Sequence, residues 1–522
     1  MKRVSPSRAN RARRPSAELR APWAVPLWIG GTAVFATLER WWFPRAWDET
    51  SLLASRFYFG DAPAFLGYAS ALLKGEPFDN GVPFHPPGWP IVLALSLRAL
   101  GWSPEQPVDP LAIKHVVAVI SGASVGLASW LAYLLAGRAV MLVTSFLGAF
   151  HFGHLVQSAA PNSEPLYGVL VLCVLLCGYW WQVRPERAGF AVACGGLAGL
   201  AMLVRAEFAL CALLIPLAHF VMGRWVWRRS LAFYALGLFV TVAPNTLANW
   251  AAIDEFNRTR AERMPGPLPR FAPVTSYGAF NFANANHAAA TGGFNFDLPG
   301  LMPSSNDPDA LAELEFAEAG ALDLSRPPAY RAYVDGYRMG ASWLAQHPIA
   351  AAQLIRAKLA IMLSMFDYGY LLNNVPVAVK GIRRPVDQID LGSTWLTVVH
   401  IALLLYGSAI AVQNPRAIPL FAPILTLLLS TTMFFGYVRL GIAYMPVIWI
   451  LQAIGIGQLL WRLPIPGVAR QRSFGIAVVA ASLLMLTEAA ASRERRVIQW
   501  DGLVDERGRL VEDQAVNIER VR

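Results

Sequence analysis

The chain has 522 residues, 55% of them apolar and only 15% charged, with a mean hydropathy of +0.42 and a net charge of +10. This balance excludes a soluble multidomain protein, because several apolar runs reach the roughly 18 residues needed to cross a hydrocarbon core. Seven basic residues (Lys2, Arg3, Arg8, Arg11, Arg13, Arg14, Arg20) precede position 21 against one acid, Glu18; they read as a cytoplasmic anchor for the first helix, not as a nucleic-acid tail. In a bilayer, backbone polar groups must be satisfied within helices. The predicted fold class is therefore an all-α polytopic membrane protein.

In chain order, the first span covers about Trp23–Phe43. A polar segment to about Pro110 forms a first external loop. Within it, Gly88–Gly101 is apolar, but as a helix it reaches only about 21 Å, too short to cross, so it is placed at the interface. Spans follow at Leu111–Leu135, Ala139–Val156 and Pro165–Val183. Residues 188–222 are one apolar stretch, too long for a single crossing, and are predicted to fold as a hairpin bent at Arg205-Ala-Glu207 on the outer face. After the span Ser230–Trp250 comes the largest polar segment, 251–347, placed outside, with amphipathic helices at Asp307–Gly320 and Pro328–Gln346. A loop of that length in a membrane protein is usually functional.

The last third holds apolar helices at Pro348–Leu372, Thr394–Val412, Ile418–Val438, Ile442–Leu460 and Gly475–Ala491. Its basic loops cannot all lie inside. Taking Asn414-Pro-Arg416 and Arg462–Arg472 as inside puts Arg383, Arg384 and Arg439 near the outer face, and makes Pro348–Leu372 re-entrant or one of a pair of spans. The chain divides into a basic tail (1–22), an amino-terminal transmembrane module with its external loop 44–110 (23–250), an external region (251–347), a carboxy-terminal transmembrane module (348–491) and a polar tail (492–522).

Charged residues next to or inside apolar runs are the candidates for chemistry, because they are costly there. Asp61 opens a short predicted helix past the first span, and Tyr68 lies two turns along it on the same face. Asp61 can cap that helix or serve as a general base toward a hydroxyl. Glu164 enters another span from the same side, as a dipole-favoured terminal carboxylate or as a second acid of one cleft. Arg205 and Glu207 either pair or line a cavity; two residues apart they do not face each other on one helix, which argues against the pair. Arg356, Lys358 and Arg439 can bind phosphate or snorkel to the interface. His151 and His154 could join Glu164 at a metal but lack a further well-spaced ligand, so they read as satisfied polar residues. Cys173, Cys177, Cys194 and Cys211 all sit in apolar runs and read as small buried hydrophobes. Phosphate-binding Gly loops and nucleophile-elbow motifs are absent from the sequence.

The order of these marks resembles the GT-C glycosyltransferases of the protein-mannosyltransferase type, including lipid A aminoarabinose transferases and rhizobial lipopolysaccharide-core transferases. The marks are Asp61 with the helix Tyr68…Gly75, the Pro86-Pro87 of the first loop, Ser163-Glu164 entering a span, Gly196-Leu-Ala-Gly199…Arg205-Ala-Glu207, the Asn281…Asn284…Asn286 stretch, and Arg439…Tyr444-Met-Pro446. The resemblance spans most of residues 23–465. It implies a bundle of about 11–13 transmembrane helices with large external loops, and transfer of a sugar from a polyprenyl-phosphate donor to a hydroxyl of a lipid, glycan or protein acceptor. By the same resemblance Asp61 is the catalytic base, Glu164 the supporting acid, and Tyr68 a substrate contact. His85, Arg205, Arg356, Lys358 and Arg439 are phosphate ligands; no protein metal ligand is assigned, although a divalent metal is compatible with the family. The implied setting is a bacterial inner membrane with the site facing the periplasm. Ala62 stands where many relatives have Glu after the aspartate, and Phe84-His85 stands where aminoarabinose transferases have Glu-Lys. The alternatives are a transporter or flippase of lipid-linked solutes, and a polymerase or ligase of lipid-linked glycans. The expected internal repeats of a transporter are absent from the sequence.

Overall fold

A computed structural model describes residues 23–46, 61–76, 82–103, 110–158, 161–221, 227–293, 298, 324–363, 365–366 and 393–461. Among these, every regular element is helical. Among the described residues, four helices are long and apolar enough to cross a membrane: Ala112–Ala136, Glu164–Val183, Ser230–Thr259 and Pro415–Met433, the last entered through a 3-10 turn, and shorter apolar helices accompany them. This is a polytopic membrane protein whose outer helices present apolar side chains such as Phe239, Val240 and Leu247 to their surroundings.

The first span is α1 (Ala24–Ala46). The first loop contributes α2 (Ala62–Lys74) and α3 (Gly88–Ala99), the latter where the interfacial segment was predicted. Next come α4 (Pro110–Ala136), α5 (Arg138–Phe150), α6 (Phe152–Gln157), α7 (Glu164–Val183), α8 (Ala188–Val204), α9 (Phe208–Val221) and α10 (Trp227–Thr259). The hairpin predicted within 188–222 is present, broken at residues 205–207. α10 runs past the predicted end at Trp250 and out of the apolar run.

The predicted span Ala139–Val156 is corrected. The stretch is two helices, α5 and α6, interrupted at His151, whose backbone is extended. A break inside an apolar helix leaves carbonyls without partners. Here Arg40 of α1 supplies the donor. It is fully buried, and it donates to Gly148 O (2.8 Å), Ser121 Oγ (3.1 Å) and His154 Nδ1 (3.1 Å). His151 Nδ1 in turn accepts from the His154 backbone N–H and caps α6. Arg40→Leu removes these donors at once and is expected to lower stability by roughly 2–4 kcal/mol, read as a fall in the unfolding midpoint of the detergent-solubilised protein.

The segment 251–347 contributes α11 (Gly278–Ala285) and α12 (Pro327–Gln346); the second of these matches a predicted amphipathic helix. The other, Asp307–Gly320, lies outside the described residues, as do Arg383, Arg384, Gly475–Ala491 and the tail. This segment is tied down on both sides. Asn245 and Asn249 of α10 donate to the carbonyls of residues 272–274, and the Ser276 N–H and hydroxyl both donate to Pro83 O of the first loop.

The chain then continues through α13 (Pro348–Leu363), α14 (Ser393–Ala411), α15 (Phe421–Met433), α16 (Val438–Ala443) and α17 (Met445–Trp461). The predicted span Ile418–Val438 therefore ends early, at Met433. Its helical bonds are replaced there: Gly436 N–H donates to Gly292 O of the segment 251–347 (2.8 Å), and Asn286 Nδ2 donates to Met433 O (2.8 Å). A Cβ on Gly436 would stand 2.1 Å from Lys358 O, so the close approach requires glycine. The non-helical residues 435–437, of which Tyr437 is extended, deliver Arg439 at the start of α16.

Candidate functional site

Four separate segments meet at one end of the bundle: the start of α2, the entry to α7, the break between α8 and α9, and the start of α16. The first loop arranges three of them. Gly88 packs against the end of α8, where a Cβ would lie 2.8 Å from Leu203 O. Its neighbour Trp89 is fully buried and donates from Nε1 to Pro161 O (2.8 Å), fixing the turn that leads to Glu164. Thus the Pro-Pro-Gly-Trp stretch of the first loop holds the α8 break and the α7 entry side by side.

The charged side chains of these segments form one alternating series. Asp61 Oδ2 accepts from Arg439 Nη2 (2.7 Å); Arg439 Nε donates to Glu164 Oε1 (3.0 Å); the same oxygen accepts from Arg205 Nη1 (2.8 Å); and Arg205 Nε donates to Glu207 Oε1 (2.9 Å). Ser163 Oγ accepts a further bond from Arg205 Nη1 (3.2 Å). The guanidinium groups also lie over aromatic faces, Arg439 over Tyr437 (5.5 Å) and Arg205 over Tyr167 (5.9 Å). Tyr167 and Tyr444 share a hydrogen bond of 2.6 Å beneath them.

The two acids named by sequence thus share one arginine, but their environments differ. The Glu164 side chain is 1% exposed, and its Oε2 accepts no hydrogen bond from any described residue. The Asp61 side chain is 45% exposed. Although Asp61 stands at the N-cap position of α2, its side chain makes no cap bond there. It turns instead to Arg439.

The pairing of Arg205 with Glu207 corrects the sequence reading. That reading applied helix spacing, but Arg205 has an extended backbone (φ −147°, ψ 117°) and opens a turn in which Phe208 N–H donates to Arg205 O, so helix spacing does not govern the pair.

Desolvation by partial burial would raise the Asp61 carboxyl. Arg439, His85 and Arg205 outweigh it and hold the group below its ordinary 3.8. A depressed carboxyl stabilises the fold above its unfolded-state value and loses that contribution as pH falls through the folded one. The stability difference between the parent and Asp61→Asn is expected to be constant near neutrality and to shrink below about pH 4, as followed by thermal unfolding.

The remaining sequence-named residues are placed as follows. Tyr68 is half-buried on α2. His85 meets Phe65 edge-on at 5.8 Å, close enough for its charge to act on Asp61. Lys358 is fully buried and donates to Asn286 Oδ1 (2.8 Å) and Thr432 O (3.4 Å). Arg356 is exposed on α13, two residues from Lys358. Neither bonds to Asp61 or Glu164. Glu207, which the sequence reading weighed as a partner of Arg205 or a cavity-lining residue, and Ser163, named only as a mark of the span entry, are members of the site; nothing in the sequence marked Tyr437. Among the described residues no group of three His, Cys, Asp or Glu side chains could hold a metal, and His151 and His154 face Trp449. The four cysteines are free thiols, buried or half-buried.

No family model and no curated protein matches the chain. Among solved structures, it is similar to the oligosaccharyltransferase AglB of Archaeoglobus fulgidus in complex with an inhibitory peptide and a dolichol-phosphate. Identity is 14% and the TM-score 0.45, over 90% of this chain and 55% of that one. It is also similar to ArnT of Cupriavidus metallidurans bound to undecaprenyl phosphate, at 16% identity and a TM-score of 0.35, over 82% of this chain and 78% of that one. The chain thus spans about half the length of the archaeal enzyme.

Proposed function

We propose that this protein is an integral-membrane glycosyltransferase of GT-C type, moving a sugar from a polyprenyl-phosphate donor to a hydroxyl of a lipid, glycan or protein acceptor on the periplasmic side of an inner membrane. The observation that carries the reading is the convergence of Asp61, Glu164, Arg205 and Arg439 from four segments onto one end of the bundle, with the only half-exposed acid at the open end of the series.

The chemistry follows from the charges. The acceptor oxygen attacks the anomeric carbon and loses its proton to Asp61. The bond from that carbon to the phosphate oxygen breaks, and its electron pair stays on the phosphate. A single displacement of this kind inverts the anomeric centre. Arg439 and Arg205 stabilise the second negative charge as it develops on the leaving phosphate. Glu164, between the two guanidinium groups, holds them at a fixed separation and is a positioning residue. Asp61 gains a proton as the phosphate gains a charge, so the net charge of the site is unchanged through the step.

Membranes containing the protein, supplied with radiolabelled polyprenyl-phosphate sugars and a membrane extract, are expected to move label into an acceptor fraction. Movement of labelled donor across sealed vesicles with no label in any acceptor would replace this reading with transport.

A further inference from the structure

The proposed base is paired with a cation: Asp61 Oδ2 lies 2.7 Å from Arg439 Nη2. A carboxylate held by a guanidinium is a poor proton acceptor, and a guanidinium held by two carboxylates is a poor phosphate ligand. The series Asp61–Arg439–Glu164–Arg205–Glu207 carries three acids and two arginines, so both of its guanidinium groups are already matched by carboxylates. Glu164 is enclosed and shared by both arginines, whereas Asp61 is half-exposed and holds Arg439 alone. Of the two carboxylates on Arg439, Asp61 is the one that can leave.

We infer that Arg439 is a shared partner contested by Asp61 and the donor phosphate, so that arrival of the lipid phosphate displaces Asp61 and thereby frees the base. The inference rests on the glycosyltransferase reading and adds an order to it: donor first, acceptor second. The displaced carboxylate stands beside a phosphate in place of a cation, which favours its protonation. Taking the acceptor's proton removes the charge with which Asp61 competes for Arg439. Arg439 then stays on the doubly charged leaving phosphate, and the pair with Asp61 reforms only when the carrier departs.

Equilibrium binding of farnesyl phosphate to the purified full-length protein in detergent tests this, through a double-mutant cycle of Asp61→Asn and Arg439→Gln. Removing the competitor is expected to tighten binding about fivefold in the parent background, the equivalent of a salt bridge near 1 kcal/mol. In the Arg439→Gln background the same Asp61 substitution is expected to change affinity little. Equal tightening in both backgrounds would mean general charge repulsion and would overturn the inference, as would no tightening in the parent. Binding of farnesyl phosphate to the Arg439→Gln protein also shows that this variant is folded. The two readings fail separately: a protein that transfers sugar but shows no coupling loses only the contest for Arg439. One that shows the coupling yet transfers nothing loses only the enzyme assignment.

Discussion

Asp61→Asn is expected to lower the rate of sugar transfer by about 10²- to 10⁴-fold, the contribution of a positioned general base, while leaving the fold intact. The substitution keeps the size of the side chain and removes only its charge. The position is half-exposed at the start of α2, so little packing is lost. Asp61→Glu is a sharper companion: it keeps the charge but moves the oxygens by one methylene, and a displacement on the order of 1 Å can cost about 10²-fold in rate. Single-turnover transfer with donor in excess measures both. A rate for Asp61→Asn within a few-fold of the parent would remove Asp61 from the chemistry.

The second large effect is expected at Glu164, and it should appear in stability as well as in rate. Glu164 Oε1 receives two guanidinium donors inside the protein, and its carboxylate also sits at the first residue of α7, where the helix dipole favours it. Glu164→Leu leaves Arg205 and Arg439 facing each other with no anion between them. Breaking a buried ionic group in this way costs about 3–5 kcal/mol. Glu164→Gln retains one acceptor oxygen and should cost distinctly less. Thermal unfolding of the two variants in detergent, ranked against the parent, checks the order. A Leu variant as stable as the parent would show that the arginines are not held through Glu164.

The sequence made legible those parts of the fold and site in which a charge interrupts an apolar run. The break at Arg205-Ala-Glu207, the entry at Ser163-Glu164 and the short helix after Asp61 all stand out, because ionisable groups are expensive next to a hydrocarbon core. The break at His151 did not stand out, because what makes it tolerable is Arg40, more than a hundred positions earlier in the chain. The early end of α15 was hidden for the same reason: its replacement bonds come from Gly292 and Asn286, more than a hundred positions earlier in the chain. Spacing rules misjudged Arg205 and Glu207 because they presuppose a helix that this stretch does not form. Lys358 looked like a phosphate ligand or a snorkelling side chain, and its partner Asn286 could be found only in three dimensions. Arg439 was legible as a basic residue at the start of an apolar helix. That it bridges Asp61 and Glu164 was not, since those residues are separated from it by hundreds of positions.

The claim beneath all of this is that a lipid-borne phosphate seats on a pair of arginines beside a carboxylate. A structure of the full-length protein determined with a polyprenyl phosphate bound addresses it most directly. The account predicts phosphate oxygens about 3 Å from the guanidinium groups of Arg439 and Arg205, with the Asp61 carboxylate turned off Arg439 and facing the space where an acceptor would enter. A headgroup seated away from both arginines, with the Asp61–Arg439 pair still closed, would contradict it.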